Sequence, residues 1–75
     1  MFEEKQFNEF AKMMNDALVE KKDVYGDSWK NMTLEHLEQR ITAKMTEFKL
    51  TKNSKKLISL ANLAMMLYVR GNKNE

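Results

Sequence analysis

An all-helical fold, three helices in an antiparallel bundle-like protomer, is what this 75-residue sequence predicts. Three observations carry the prediction. Apolar residues recur at three- and four-residue spacing through most of the chain, Pro is absent, and Gly occurs only twice. One domain over residues 1–75 follows from the length, and a chain this short buries too little surface to be very stable without a staple or a partner.

The first helix is expected from about 3 to 22. Phe7, Phe10, Ala11, Met14, Ala17 and Leu18 form one apolar stripe, with Glu9, Lys12, Asp16 and Glu20 elsewhere on the wheel. Glu3 and Glu4 in the first turn and Lys21 and Lys22 in the last suit the helix dipole. Thr33 can cap a second helix, about 33 to 50, whose inward stripe is Leu34, Leu37, Ile41, Met45 and Phe48. The "TKNSKK" link offers Asn53 or Ser54 as the next cap. It is short enough to set the second and third helices antiparallel.

The third helix, about 55 to 70, is apolar around nearly its whole circumference, from Leu57 and Ile58 to Tyr68 and Val69. A helix of that kind is central or shared between subunits. The sequence therefore predicts a homo-oligomer, dimer or tetramer, whose core is completed through this helix. Gly71 is placed to end it, with "GNKNE" as a frayed polar tail. Met13, Met14, Met45, Met65 and Met66 lie on or beside the stripes and read as packing residues.

Composition excludes several classes of function. No Cys and a single His leave no disulfide, no thiolate zinc site and no His-rich centre. A net charge of +2 gives no strong nucleic-acid signal, and Arg70 with Lys73 and Tyr68 is too small a basic patch to supply one. With no apolar run of membrane-spanning length and no signal-like N-terminus, the expected setting is the cytoplasm, without membrane contact. His36 has no Ser, Cys or second His near it in sequence, so a surface or cap role is expected for it rather than that of a general base.

The connection 23–32 holds the only Trp and one of the two Tyr, in "KKDVYGDSWKN". This stretch, with "LEHLEQRI" after it and "LANLAMMLY" near the end, resembles short members of the MazG-like all-α nucleotide pyrophosphohydrolase superfamily, from about Lys21 to Arg70. The resemblance implies magnesium held by carboxylates of two facing helices, and cleavage of a nucleoside triphosphate between its α- and β-phosphates. One helix of the family offers Glu-Glu-x-x-Glu, and the other Glu-x-x-Asp with Asn three residues later. On this chain these positions hold Ala43, Lys44 and Glu47, then Lys56, Ser59 and Asn62, so only Glu47 and Asn62 match. A lysine about 4 Å from a divalent ion is repelled by roughly 8 kcal/mol at an effective dielectric near 20.

The sequence therefore predicts a degenerate member that has lost metal-dependent hydrolysis. Its expected role is to bind a nucleotide or phosphate, or to serve as a helical assembly module. By the resemblance, Lys22, Tyr25 and Trp29 of the loop lie beside the nucleotide pocket. Lys44, Lys56 and Asn62 complete the expected ligand set, the lysines meeting phosphate directly at the first turn of the third helix. No catalytic residue and no cofactor are assigned. Two alternatives stand beside this reading. One is an active Mg-dependent pyrophosphohydrolase using Glu47 with relocated Glu35 and Glu38, or the loop acids Asp23 and Asp27. The other is a regulatory module that presents "YGDSW" to a protein partner.

Overall fold

The computed structural model describes residues 3–21 and 28–73. Among them the chain is all-helical: α1 (Glu4–Glu20), a 3-10 turn (Ser28–Lys30), α2 (Leu34–Thr51) and α3 (Lys55–Lys73). Helix α3 is the central element. It packs most extensively on α2 and also carries α1, so its all-round apolar surface meets a neighbour on two sides. Ile58 and Leu63 of α3 and Leu37 of α2 form the buried apolar core, and Leu37 is wholly inaccessible.

The directions follow from the links. Thr33 Oγ1 accepts the His36 N–H at 3.0 Å to start α2, and the three-residue turn 52–54 folds α3 back antiparallel to it. Asn62 Nδ2 donates to Met14 O at 3.1 Å, while Glu20 and Lys21 line a groove with Lys55 and Ile58. The end of α1 thus meets the start of α3, so these two are antiparallel as well. Arg70 near the end of α3 reaches back to Met32, just before α2. Helices α1 and α2 therefore run parallel to each other, a departure from a fully antiparallel bundle that the longer connection between them permits.

Two sequence expectations change. The α1 stripe is packed only in its C-terminal half, where Met14, Ala17 and Leu18 are half-buried. Phe7 and Phe10 stay 66% and 42% exposed, because nothing in the chain covers the first turns of α1. At the other end, α3 continues through Gly71 to Lys73 instead of stopping at Gly71. A Cβ on Gly71 would meet nothing within 4 Å, so its surroundings do not demand glycine.

The left-handed residue lies at the end of α2 instead. Lys52 has φ 57° and ψ 22°, and its N–H donates to Phe48 O at 2.7 Å. That conformation costs a non-glycine residue roughly 1–2 kcal/mol. The Lys52 ammonium, 5.7 Å from the Phe48 ring centroid, offsets part of it, about 0.5 kcal/mol. Lys52→Gly is expected to raise the unfolding free energy by about 0.5–1 kcal/mol, read from the midpoint of a urea melt.

Candidate functional site

Glu47 lies on the α2 face turned toward α3, and it holds two cations. Lys56 Nζ is 2.9 Å from its Oε1 and Lys44 Nζ is 3.6 Å from its Oε2. The hydrogen bond from Lys56 is the main reason its carboxyl sits below the ordinary 4.5, the charge of Lys44 adding to the effect and partial burial opposing it. A depressed carboxyl binds fewer protons folded than unfolded. Its contribution to stability is therefore fully present above 4.5 and is lost as pH falls through the lower folded value.

This arrangement does not fit a magnesium ion. The one family carboxylate retained in the sequence already faces two ammonium groups, which a divalent ion would have to displace. Glu35 and Glu38 do not converge with it: nine residues separate Glu38 from Glu47 on one helix, roughly 13 Å of rise. Among the described residues no three of His, Asp and Glu come together.

The expected anion site at the start of α3 is also changed by the local geometry. The N–H of Lys55 donates to Asn53 Oδ1, that of Lys56 to Asn53 O and that of Leu57 to Ser54 O, each at 3.0 Å. These donors are occupied by the Asn53 turn, and Lys56 is turned to Glu47. His36 lies exposed in the first turn of α2, where its N–H serves the Thr33 cap.

The residues that do converge line a cleft between α1, α2, α3 and the 3-10 turn, with a cavity volume of about 90 Å³. Its wall is mostly apolar, from Ala17, Leu18, Trp29, Met32, Leu37, Leu63 and Met66. Into this wall are set three cationic side chains, one from α2's Arg40, one from Lys44 a turn later, and one from Lys21 just past α1. No carboxylate lines the cleft among the described residues. Ser28, Ser59 and Asn62 supply its neutral polar groups.

Asn62 is the group that most needs a partner. It is 5% exposed, and its Nδ2 is committed to Met14 O. A carbonyl requires a donor, so the amide orientation is fixed and Oδ1 is left buried without a hydrogen bond. An unpaired buried acceptor costs about 1–3 kcal/mol, a cost that a hydrogen-bond donor in the cleft would remove.

The aromatic turn is fastened from behind. Arg70 Nη1 donates to Trp29 O at 2.7 Å and to Met32 O at 2.5 Å. Asn31 N–H closes the turn on Ser28 O at 3.0 Å. Trp29 is consequently half-buried and on the cleft wall, with the Lys30 ammonium 5.9 Å from its ring centroid.

Of the sequence-derived ligand set, Trp29, Lys44 and Asn62 share the cleft, and Lys56 is one step removed through Glu47. Lys22, Tyr25, Asp23 and Asp27 lie outside the described residues. Sequence reasoning missed Arg40 as a lining residue and Arg70 as a clamp. The spacing of Leu37, Arg40 and Lys44 was the available signal, since it puts both cations beside a stripe residue on one helix face. No family model, curated protein or solved structure matches this chain.

Proposed function

We propose that this chain binds the phosphate group of a small molecule in the cleft between α1, α2 and α3, without metal-dependent hydrolysis. The observation that carries the reading is the convergence of Lys21, Arg40 and Lys44 with the unpartnered Asn62 Oδ1 on one largely apolar wall. Apolar surroundings strengthen each cation's attraction for an anion, because fewer waters screen it. A hydrogenphosphate, or a phosphate ester with a nearby hydroxyl, brings both the negative charge and the donor that Asn62 lacks.

Size supports a phosphate-sized group rather than an enclosed nucleotide. Pockets that enclose a drug-sized ligand run to about 300–1,000 Å³, against about 90 Å³ here. The phosphate would enter while the remainder of its ligand lay at the mouth, beside Trp29. The resemblance of Lys21–Arg70 to the MazG-like enzymes is compatible with a phosphate ligand. The pairing of Glu47 with two lysines supports loss of their hydrolytic chemistry.

Glu47→Gln separates this function from the magnesium-dependent alternative. With the negative charge removed, Lys44 is released toward the cleft, and phosphate affinity should rise about three- to tenfold, as a charge some 7 Å away implies at an effective dielectric of roughly 40. Isothermal titration with inorganic phosphate at neutral pH reads this directly. A magnesium hydrolase would instead lose pyrophosphate release in the same variant. The variant should also lose whatever part of the wild-type acid sensitivity Glu47 causes, while wild type weakens as pH falls below 4.5.

A protein-interaction role for "YGDSW" is less well supported. Trp29, the side chain best suited to anchor a partner, is half-buried on the cleft wall and its backbone is held by Arg70.

A further inference from the structure

The chain leaves more surface in water than its mass requires. A compact monomer of 8.9 kDa exposes about 4,800 Å², whereas this one exposes 6115 Å². The radius of gyration agrees, at 13.1 Å against about 11 Å for a compact chain of this length. The excess is roughly 1,300 Å² per chain, or about 2,600 Å² for two, which falls within the range buried by obligate homodimers.

The apolar part of that excess is concentrated at one end of the molecule. Because α1 runs antiparallel to α3 and Asn62 meets Met14, Phe10 and Phe7 lie one and two turns farther on, level with the segment Met65–Val69. Phe7, Phe10, Met65 and Tyr68 are all exposed, Tyr68 by 70%. Sequence periodicity pointed to the third helix as the shared element. In the structure that helix is already covered by α1 and α2 on two sides, and the first turns of α1 are the larger uncovered apolar face.

We propose that a second copy of this chain docks on the apolar end formed by Phe7 and Phe10 of α1 with Met65 and Tyr68 of α3, giving a twofold-symmetric dimer. A twofold contact presents the same patch from both sides, so one apolar end completes the core of both copies. The excess area is what such a contact needs, and three buried apolar side chains per chain leave its contribution to stability large. The inference is independent of the cleft, which opens elsewhere on the bundle.

Sedimentation equilibrium of the full chain over a wide concentration range tests it. The expected mass is twice 8.9 kDa. The double variant Phe7→Glu/Phe10→Glu should halve it with helicity by circular dichroism retained, since both positions are exposed. Leu50→Glu, exposed at the opposite end of the molecule where α2 turns into α3, should leave the mass doubled. Wild type at 8.9 kDa throughout would overturn the proposal and assign the face to a different partner. So would a double variant that stays dimeric, or a dimer that Leu50→Glu dissociates.

Discussion

Leu37→Ala lowers the unfolding free energy by about 2–5 kcal/mol in a urea melt, the largest single-residue effect expected in this chain. Leu37 is wholly inaccessible, and it sits where α2 meets α3 under the cleft. The loss combines the transfer of its removed methyl groups with a cavity that the neighbours close only in part. A domain of this length holds roughly 4–11 kcal/mol in total. Half or more of the stability therefore rests on one side chain. The same substitution at Leu50, which is 81% exposed, should change stability by no more than about 0.5 kcal/mol.

Arg70→Ala is expected to cost about 2–3 kcal/mol, because hydrogen bonds from a charged donor contribute about 1.5–3 kcal/mol and two carbonyls lose theirs together. Its signature is local as well as global. Trp29 is the only Trp in the chain, so its fluorescence reports the turn that Arg70 holds. Emission should move to longer wavelength in the variant before the helices melt, as the indole leaves the cleft wall. Arg70→Lys should restore only part of the loss. An ammonium on a flexible stem lacks the planar fork with which the guanidinium reaches two carbonyls. Coincident fluorescence and circular dichroism transitions in Arg70→Ala, with unshifted emission, would contradict this role.

Much of the helical frame was legible because it depends on local spacing and caps. Thr33 marks the start of α2 by accepting the His36 N–H, and "TKNSKK" contains the turn that reverses the chain. Periodicity identified the α1 stripe, but it states only which residues share a face and not how far a neighbour extends along it. Phe7 and Phe10 are in register with Met14 and Ala17 yet remain exposed. Gly71 reads as a stop signal, while its neighbours continue the helix past it. Lys52 takes the left-handed conformation without being the residue type that usually marks it.

The site was legible in outline through Trp29, Lys44 and Asn62. What the sequence could not specify was pairing across elements. Lys56 meets Glu47 only because the α2–α3 hairpin sets their faces together, and Arg70 finds the Trp29 and Met32 carbonyls from more than 35 residues away. Arg40 and Lys21 enter the cleft from opposite helices. Such convergence is a property of packing, and helical spacing alone does not encode it.

Phosphate binding in the cleft is the central claim, and amide NMR of the full chain titrated with inorganic phosphate at neutral pH tests it most directly. Saturable shifts confined to Lys21, Trp29, Arg40, Lys44, Ser59 and Asn62, weakened several-fold by Lys44→Ala and strengthened by Glu47→Gln, are the predicted result. Unmoved cleft resonances at saturating phosphate, or shifts spread evenly over exposed lysines such as Lys12 and Lys55, would contradict it.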